Sequence, residues 1–372
     1  MLKRYVFSLL HRLAGLLRPG RGKAGNSLII FKPDGIGDFL LATGAIKKII
    51  DNTENPIVLL VDSKVAALAR KQFPTIEVFG AEGAVKSKQY DSLRYLRDAY
   101  RFASSFSGSE LICLRHALSQ TDHIILKWLK PTRSVGILTS PISPFLPESV
   151  PYFRFSEVVV YPKVRDQFPF EVCAHREILN RYFSPPQPWT TSLLAPLVNR
   201  GKLKRRSGVL LVFPHTRQWQ RNLPIERLAK GINQISPSLY SHVRVCGSPT
   251  EQSYLVSFLA TLAPHTHARL APTKSLDACI AEIESSAAVL SMDSAPAHFA
   301  IQKATPNVAL LSGGQYGYFA PYGDSARHIW LNHQTECYHC NWQCPHSEPI
   351  CLTRLKDEDI TAAVTKILQI TY

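Results

Sequence analysis

Residues 27–50 read Ser-Leu-Ile-Ile-Phe-Lys-Pro-Asp-Gly-Ile-Gly-Asp-Phe-Leu-Leu-Ala-Thr-Gly-Ala-Ile-Lys-Lys-Ile-Ile, and this stretch sets the fold class. Ser27–Lys32 is a short, unbroken apolar run, the form of a strand covered on both faces. Phe39–Ile50 carries apolar residues at helical spacing. Lys32-Pro33-Asp34-Gly35-Ile36-Gly37-Asp38 joins the two, so the loop leaves the end of a strand and opens a helix. Gly35 and Gly37 are expected to let the backbone turn sharply and approach a ligand. The spacing falls short of the dinucleotide fingerprint, because Leu40 stands where a third glycine belongs, and Asp62 is a poor acidic ribose ligand. Asp38 reads either as a helix-capping carboxylate or as a general base, and the pattern by itself favours the cap.

The same rhythm continues outward. Ile57–Asp62 reads as a strand, Ser63–Gln72 as a helix, and Ile76–Phe79 and Glu110–Leu114 as strands. After a proline-rich stretch and the basic tract Arg200, Lys202, Lys204, Arg205 and Arg206, the pattern restarts. Gly208–Phe213, His242–Cys246, Ala287–Met292 and Asn307–Leu311 read as strands. Pro224–Ile235, Glu251–Leu262, Ser275–Ser285, Ala295–Gln302 and Asp357–Leu368 read as helices. Strands alternating with helices predict parallel βαβ units. The expected class is α/β, with two Rossmann-like domains facing across a cleft. The divisions are a basic amphipathic segment over 1–25, a first domain over 26–190 and a second over 200–372.

Two further loops follow strands. Asp293-Ser294-Ala295-Pro296-Ala297-His298 places a proline in the first turn of a helix. The N–H groups of Ser294, Ala295 and Ala297 and the Ser294 hydroxyl would then face an anion. His298 reads either as a phosphate donor or as a core histidine, and Asp293 is an odd neighbour for a phosphate unless it orients the loop or a sugar hydroxyl. Pro214–Pro224 holds Thr216, Arg217 and Arg221, a hydroxyl and two guanidinium groups suited to a diphosphate.

Composition narrows the partners. The 372 residues carry 43 Lys plus Arg against 28 Asp plus Glu, a net charge of +15 that favours an anionic partner. Residues 1–23 hold six basic residues (Lys3, Arg4, Arg12, Arg18, Arg21 and Lys23) and no acid, with leucines at helical spacing. His11 and Arg12 interrupt the apolar run that a signal peptide needs. The segment reads as a helix on a membrane surface or one packed on the protein itself. Arg94, Arg97 and Arg101 form a basic stripe on a predicted helix, with Tyr95, Tyr100 and Phe102 beside it. An anionic glycolipid explains the stripe as well as nucleic acid does, and the former is the expectation. Cys337, Cys340, Cys344 and Cys351 follow the spacing C-x₂-C-x₃-C-x₆-C, which leaves open a structural metal such as zinc, free thiols or a disulfide. Cys113, Cys173, Cys246 and Cys279 lie in apolar stretches and read as buried thiols.

Taken together, the three loops resemble the heptosyltransferases that build the lipopolysaccharide inner core, glycosyltransferase family 9, over roughly residues 27 to 365. The most specific stretch is Leu276–Leu311, with its Asp-Ser-x-Pro-x-His motif. The resemblance implies a GT-B fold and an inverting glycosyl transfer from a nucleotide sugar, ADP-heptose above all, with no cofactor required for catalysis. It implies Asp38 as the general base, which reverses the capping preference. It places the donor diphosphate on Thr216, Arg221, Asp293, Ser294, Ala295 and His298. It implies an anionic glycolipid or glycan acceptor, no nucleic acid, and a cytoplasmic place, peripheral on the inner membrane. Departures fall on the donor side: Ala295 replaces a common glycine, Leu223 a common tryptophan, and Arg221 a lysine. A different nucleotide sugar, or a catalytically silent nucleotide-sugar-binding protein, are the alternatives. Asp357-x-Asp359 matches a metal-binding DxD only formally and reads as a helix cap.

Overall fold

In the computed structural model the described residues are 17, 19, 26–84, 93–115, 117–138, 153–160, 170–184, 193 and 207–370. The segment 1–25, apart from Leu17 and Pro19, and the basic tract at 200–206 lie outside them. The chain divides into two compact units, the first Met1–Val164 with Glu171–Leu193, the second Arg165–Phe170 with Leu194–Tyr372.

The first unit runs β1 (Leu28–Lys32), α1 (Ile36–Asp51), β2 (Ile57–Asp62), α2 (Ser63–Gln72), β3 (Glu77–Ala81), α3 (Leu93–Phe106), β4 (Glu110–Cys113), α4 (Gln120–Leu129), β5 (Ser134–Leu138), β6 (Glu157–Val160) and α5 (Phe170–Tyr182). Its sheet has the order β3-β2-β1-β4-β5-β6, and every pairing is parallel. β1 is central, which explains its unbroken apolar run: Leu28, Ile29, Ile30 and Phe31 are fully buried. Its core also takes Tyr95, Ala99 and Phe102 from one face of α3 and Ile125, Leu126 and Leu129 from α4. Each such large apolar side chain contributes about 1.5–3 kcal/mol on burial. Asp62 caps α2, accepting from the Lys64 amide at 3.0 Å, so the residue weighed as a ribose ligand is a buried helix cap.

The second unit runs β7 (Ser207–Phe213), α6 (Ile225–Asn233), β8 (His242–Val245), α7 (Gln252–Ala260), β9 (Arg269–Leu270), α8 (Leu276–Ser285), β10 (Ser286–Met292), α9 (Ala295–Gln302), β11 (Asn307–Leu310), β12 (His328–Leu331), α10 (Ile350–Thr353) and α11 (Asp357–Gln369). The sheet order is β12-β11-β10-β7-β8-β9, again all parallel. Counted from its own first strand, this is the topology of the first unit. α11 docks on α6 through Asp357, which takes Arg227 Nε at 2.5 Å and Lys230 Nζ at 2.8 Å. Burial alone would raise the Asp357 pKa, but the hydrogen bonds from Lys230 and Arg227 outweigh it and hold the carboxyl below its usual range. Asp359 accepts from the Lys356 amide at 3.3 Å. The Asp357-x-Asp359 pair therefore serves docking and capping.

Candidate active site

In a sheet of this order, ligands bind outside the carboxyl ends of the strands, where the chain changes direction between the first and fourth strands. In the first unit those are β1 and β4, and the loop after β1 is 33–35, directly before α1. In the second they are β7 and β10, followed by the Pro214–Pro224 and Asp293–Ser294 loops. All three singled-out loops thus fall at the two switch points.

Asp38 is the third residue of α1 and is half-buried. The helix cap is Gly35, and no side chain bonds it, so Asp38 is not a capping ligand. The expected role of the glycines needs correcting. Gly35 has φ −68° and ψ 172°, ordinary extended backbone, and Gly37 lies inside α1 without a positive φ. A Cβ at Gly35 would sit 3.5 Å from Asp38 Oδ2, an ordinary van der Waals contact, so neither backbone conformation nor space demands glycine there.

Beneath this loop lies a buried ionic network. Lys32 Nζ pairs with Glu171, with Asp34 Oδ2 at 3.1 Å, and donates to the Leu114 carbonyl at 3.1 Å. Arg115 pairs with Asp34 Oδ1 at 3.3 Å and with Asp122 Oδ1 at 3.0 Å, and Tyr95 Oη donates to the same Asp122 oxygen at 2.7 Å. Lys32, Asp34, Arg115, Asp122 and Glu171 are each at most 1% exposed. Burial would lower the Lys32 pKa, but the charges of Asp34, Glu171 and Asp38 outweigh it and raise the value well above that of an ordinary lysine. Sequence reading missed Arg115 and Glu171. The available signal was a lysine ending an apolar strand, which requires buried counter-charges.

In the second unit Asn222 closes the loop after β7 on itself: its Oδ1 accepts from the Thr216 amide at 2.7 Å and its Nδ2 donates to the Thr216 carbonyl at 2.9 Å. That closure turns Arg221, in the short 3-10 turn Trp219–Arg221, toward the end of β10. Arg221 Nη2 lies 3.2 Å from Asp293 Oδ2 and also donates to the Asp293 carbonyl. Its Nη1 donates to Gln218 Oε1 at 3.4 Å, while its buried Nε has no hydrogen-bond acceptor among the described residues. Asp293, the odd neighbour for a phosphate, is thus the anchor of this arginine.

α9 begins at Ala295 with Ser294 as its cap. The Ser294 hydroxyl donates to the Met292 carbonyl at 3.2 Å, and the Ala297 amide to the Ser294 carbonyl at 3.1 Å. Ala297 N–H is therefore engaged within the turn, against expectation. His298 is only 4% exposed, its Nδ1 2.7 Å from Tyr322 Oη and its ring stacked on the tyrosine. It sits in an aromatic cluster with Trp330, closer to the core reading than to an open phosphate donor. His215, in the same loop as Thr216, lies tilted against Tyr254 and pairs with Glu251 at 2.8 Å.

The four clustered cysteines line one cavity of about 10 Å³, together with Gln220, Ser312 and Trp342. None of the eight cysteines, all among the described residues, is joined in a disulfide. Among the described residues no three His, Cys, Asp or Glu side chains are placed as a metal-binding group. The segment packs against Gly313-Gly314 just past β11. A Cβ on Gly313 would meet the Tyr338 ring at 2.5 Å, and one on Gly314 the Trp342 ring at 2.4 Å, so only glycine fits at either place. Elsewhere, burial pushes the Cys113 and Cys246 thiols up to about 12, as expected of buried cysteines.

On α3, Arg94 pairs with Glu82 and Arg97 with Asp98 at 2.9 Å, while Arg101 is exposed. Tyr95 and Phe102 are wholly buried and Tyr100 packs edge-on against Trp128, so the stripe lacks the exposed aromatic partners that a single-strand binder uses.

The sequence of residues 182–348 matches the model of glycosyltransferase family 9 (heptosyltransferase). The chain resembles the family 9 glycosyltransferases over this stretch. It is a glycosyltransferase with the α/β, two-domain GT-B fold. The family 9 glycosyl transferase of Veillonella parvula is 14% identical, with a TM-score of 0.66 over 93% of this chain and 98% of that one. The E. coli heptosyltransferase WaaC, solved with ADP, is 14% identical, with a TM-score of 0.64 over 93% of this chain and all (100%) of that one. The dodecameric iron-containing heptosyltransferase TibC, solved with ADP-D-beta-D-heptose, is 11% identical, with a TM-score of 0.51 over 95% of this chain and 78% of that one. No curated protein sequence matches the chain. Among the described residues no helix is long and apolar enough to cross a membrane.

Proposed function

We propose that this chain is an inverting heptosyltransferase of family 9 that moves heptose from ADP-heptose to a lipopolysaccharide core or related glycan. The observation that carries the reading is Arg221, held by Asp293 beside the start of α9 at the second unit's switch point. A guanidinium and a helix N-terminus together suit a diphosphate. ADP or ADP-heptose in the solved relatives favours that nucleotide. In this reading Asp38 accepts the proton of the acceptor hydroxyl as its oxygen bonds to the anomeric carbon. The bond from that carbon to the diphosphate breaks on the opposite face, and the configuration inverts. Charge gathering on the departing diphosphate is met by Arg221, Thr216 and the Ser294–Ala295 end of α9. Binding of ADP-heptose, other ADP-sugars and UDP-sugars to the full chain, followed by turnover with a delipidated core acceptor, tests it. Tighter binding and turnover of a UDP-sugar would replace the donor, and binding without turnover on any acceptor would favour the silent binding protein.

A structural metal at Cys337, Cys340, Cys344 and Cys351 is part of the proposal. The four thiols line one small cavity and are a donor set for zinc or iron that binding would have to draw together, since the described residues hold no ready-made metal group, and the relative TibC contains iron. Such a metal would brace the segment and take no part in glycosyl transfer. Freshly reduced protein should carry one equivalent of metal, lost when Cys337 and Cys340 are both changed to Ser. Metal-free protein with a full count of free thiols would end this reading.

A further inference from the structure

Trp342 stands between Cys340 and Cys344 in sequence, yet in space it belongs to Arg221. The guanidinium carbon lies 5.1 Å from the centre of the indole ring. Three separate devices hold the ring there. Its Nε1–H donates to Ser312 Oγ at 3.2 Å. Its carbonyl accepts from the side chain of Gln220, the residue before Arg221, at 3.0 Å. Gly314 leaves open the space beneath the ring that any Cβ would fill. The backbone bends to allow this: Asn341 and Trp342 have φ of +51° and +58°, a left-handed conformation that residues with side chains keep only where their surroundings enforce it.

The chemistry of the pair is specific. An aromatic face attracts a guanidinium through its quadrupole and leaves the in-plane N–H groups unspent. Asp293, the other partner, holds Arg221 by one edge and competes with any anionic ligand for it. A ring stacked on the face fixes the plane of the fork without adding a competing negative charge. We propose that Trp342 is a positioning residue for Arg221, and that the cysteine-bearing segment is thereby a working part of the donor site, aligning Arg221 for a nucleoside diphosphate. The inference rests on the reading of Arg221 as a diphosphate ligand.

The test measures ADP and adenosine affinities of the full chain for Arg221→Ala, Trp342→Leu, Trp342→Phe and the double variant Arg221→Ala with Trp342→Leu. Arg221→Ala should weaken ADP by about ten- to a hundredfold. Trp342→Leu should weaken ADP roughly two- to tenfold and leave adenosine unchanged, with Trp342→Phe restoring most of the loss. The double variant should bind ADP no worse than Arg221→Ala alone, because contacts that act through one group do not add. Additive losses, or equal losses for ADP and adenosine in Trp342→Leu, overturn the inference while leaving Arg221 its role. Unchanged ADP affinity in Arg221→Ala removes both. Should Trp342→Leu fail to fold, Trp342→Phe and Ser312→Ala carry the same comparison. Their smaller ADP losses must vanish in the Arg221→Ala background, and persistence there overturns it.

Discussion

The two units have the same strand order, yet they fill their switch points in opposite ways. In the first, five charged side chains turn inward and satisfy one another, each at most 1% exposed, with Asp38 half-buried above them. In the second, the arginine side chain is 21% exposed and its fork is held on an edge and a face, by Asp293 and Trp342. The first site is built to hold one carboxylate-bearing loop still. The second leaves its cation partly exposed, with the buried Nε of Arg221 lacking an acceptor among the described residues. In the proposed reading one topology serves a base in the first unit and an anion receptor in the second, and what separates them is where the charges find partners.

The contrast can be broken most sharply at Asp38. Replacement by Asn should lower turnover by about 10²–10⁴ while ADP affinity stays close to normal. Near-normal turnover would take the base role from Asp38. Next comes Arg115→Met, which leaves Asp34 and Asp122 buried without their shared cation and should cost about 3–5 kcal/mol in urea unfolding. If that variant is as stable as the parent, the first unit's network is not the brace described. Arg221→Ala should instead cost at most about 1 kcal/mol in the same unfolding experiment, because its pair with Asp293 is partly open to solvent, and show its loss in ADP binding. A stability loss as large as that of Arg115→Met would make the two sites alike. The smallest effect on catalysis is expected from a chain shortened to begin at Asn26. It should turn over a soluble acceptor normally but bind anionic vesicles less well than the full chain. Equal vesicle binding would remove the basic segment as the membrane contact.

Much of the fold could be read because parallel strands buried on both faces are plain in sequence. Ile57–Asp62, Ser63–Gln72 and Ala295–Gln302 match their elements end for end. Short edge strands were missed: β9 has only two residues, and β12 is mostly half-buried and opens on a histidine, so it lacks the clean apolar run of an inner strand. The loops at the switch points were legible because glycine, proline and charged residues cluster directly after apolar runs. Their partners were not. Lys32 finds Glu171 across 139 positions and Arg221 finds Asp293 across 72, and no local periodicity records such a meeting. His298 reads in sequence as either a phosphate donor or a core histidine, and its contact with Tyr322 across 24 positions is likewise one that no local pattern records.

The seat of the cysteine segment also constrains how this chain can change over generations. Tyr338 and Trp342 occupy the space where side chains at Gly313 and Gly314 would begin. A lineage that loses the tryptophan releases Gly314 to drift, whereas one that first mutates Gly314 must displace the ring. Inheritance therefore has a preferred direction here. The aromatic is expected to go before the glycine beneath it, and sequences that keep Trp342 should keep Gly314 as well.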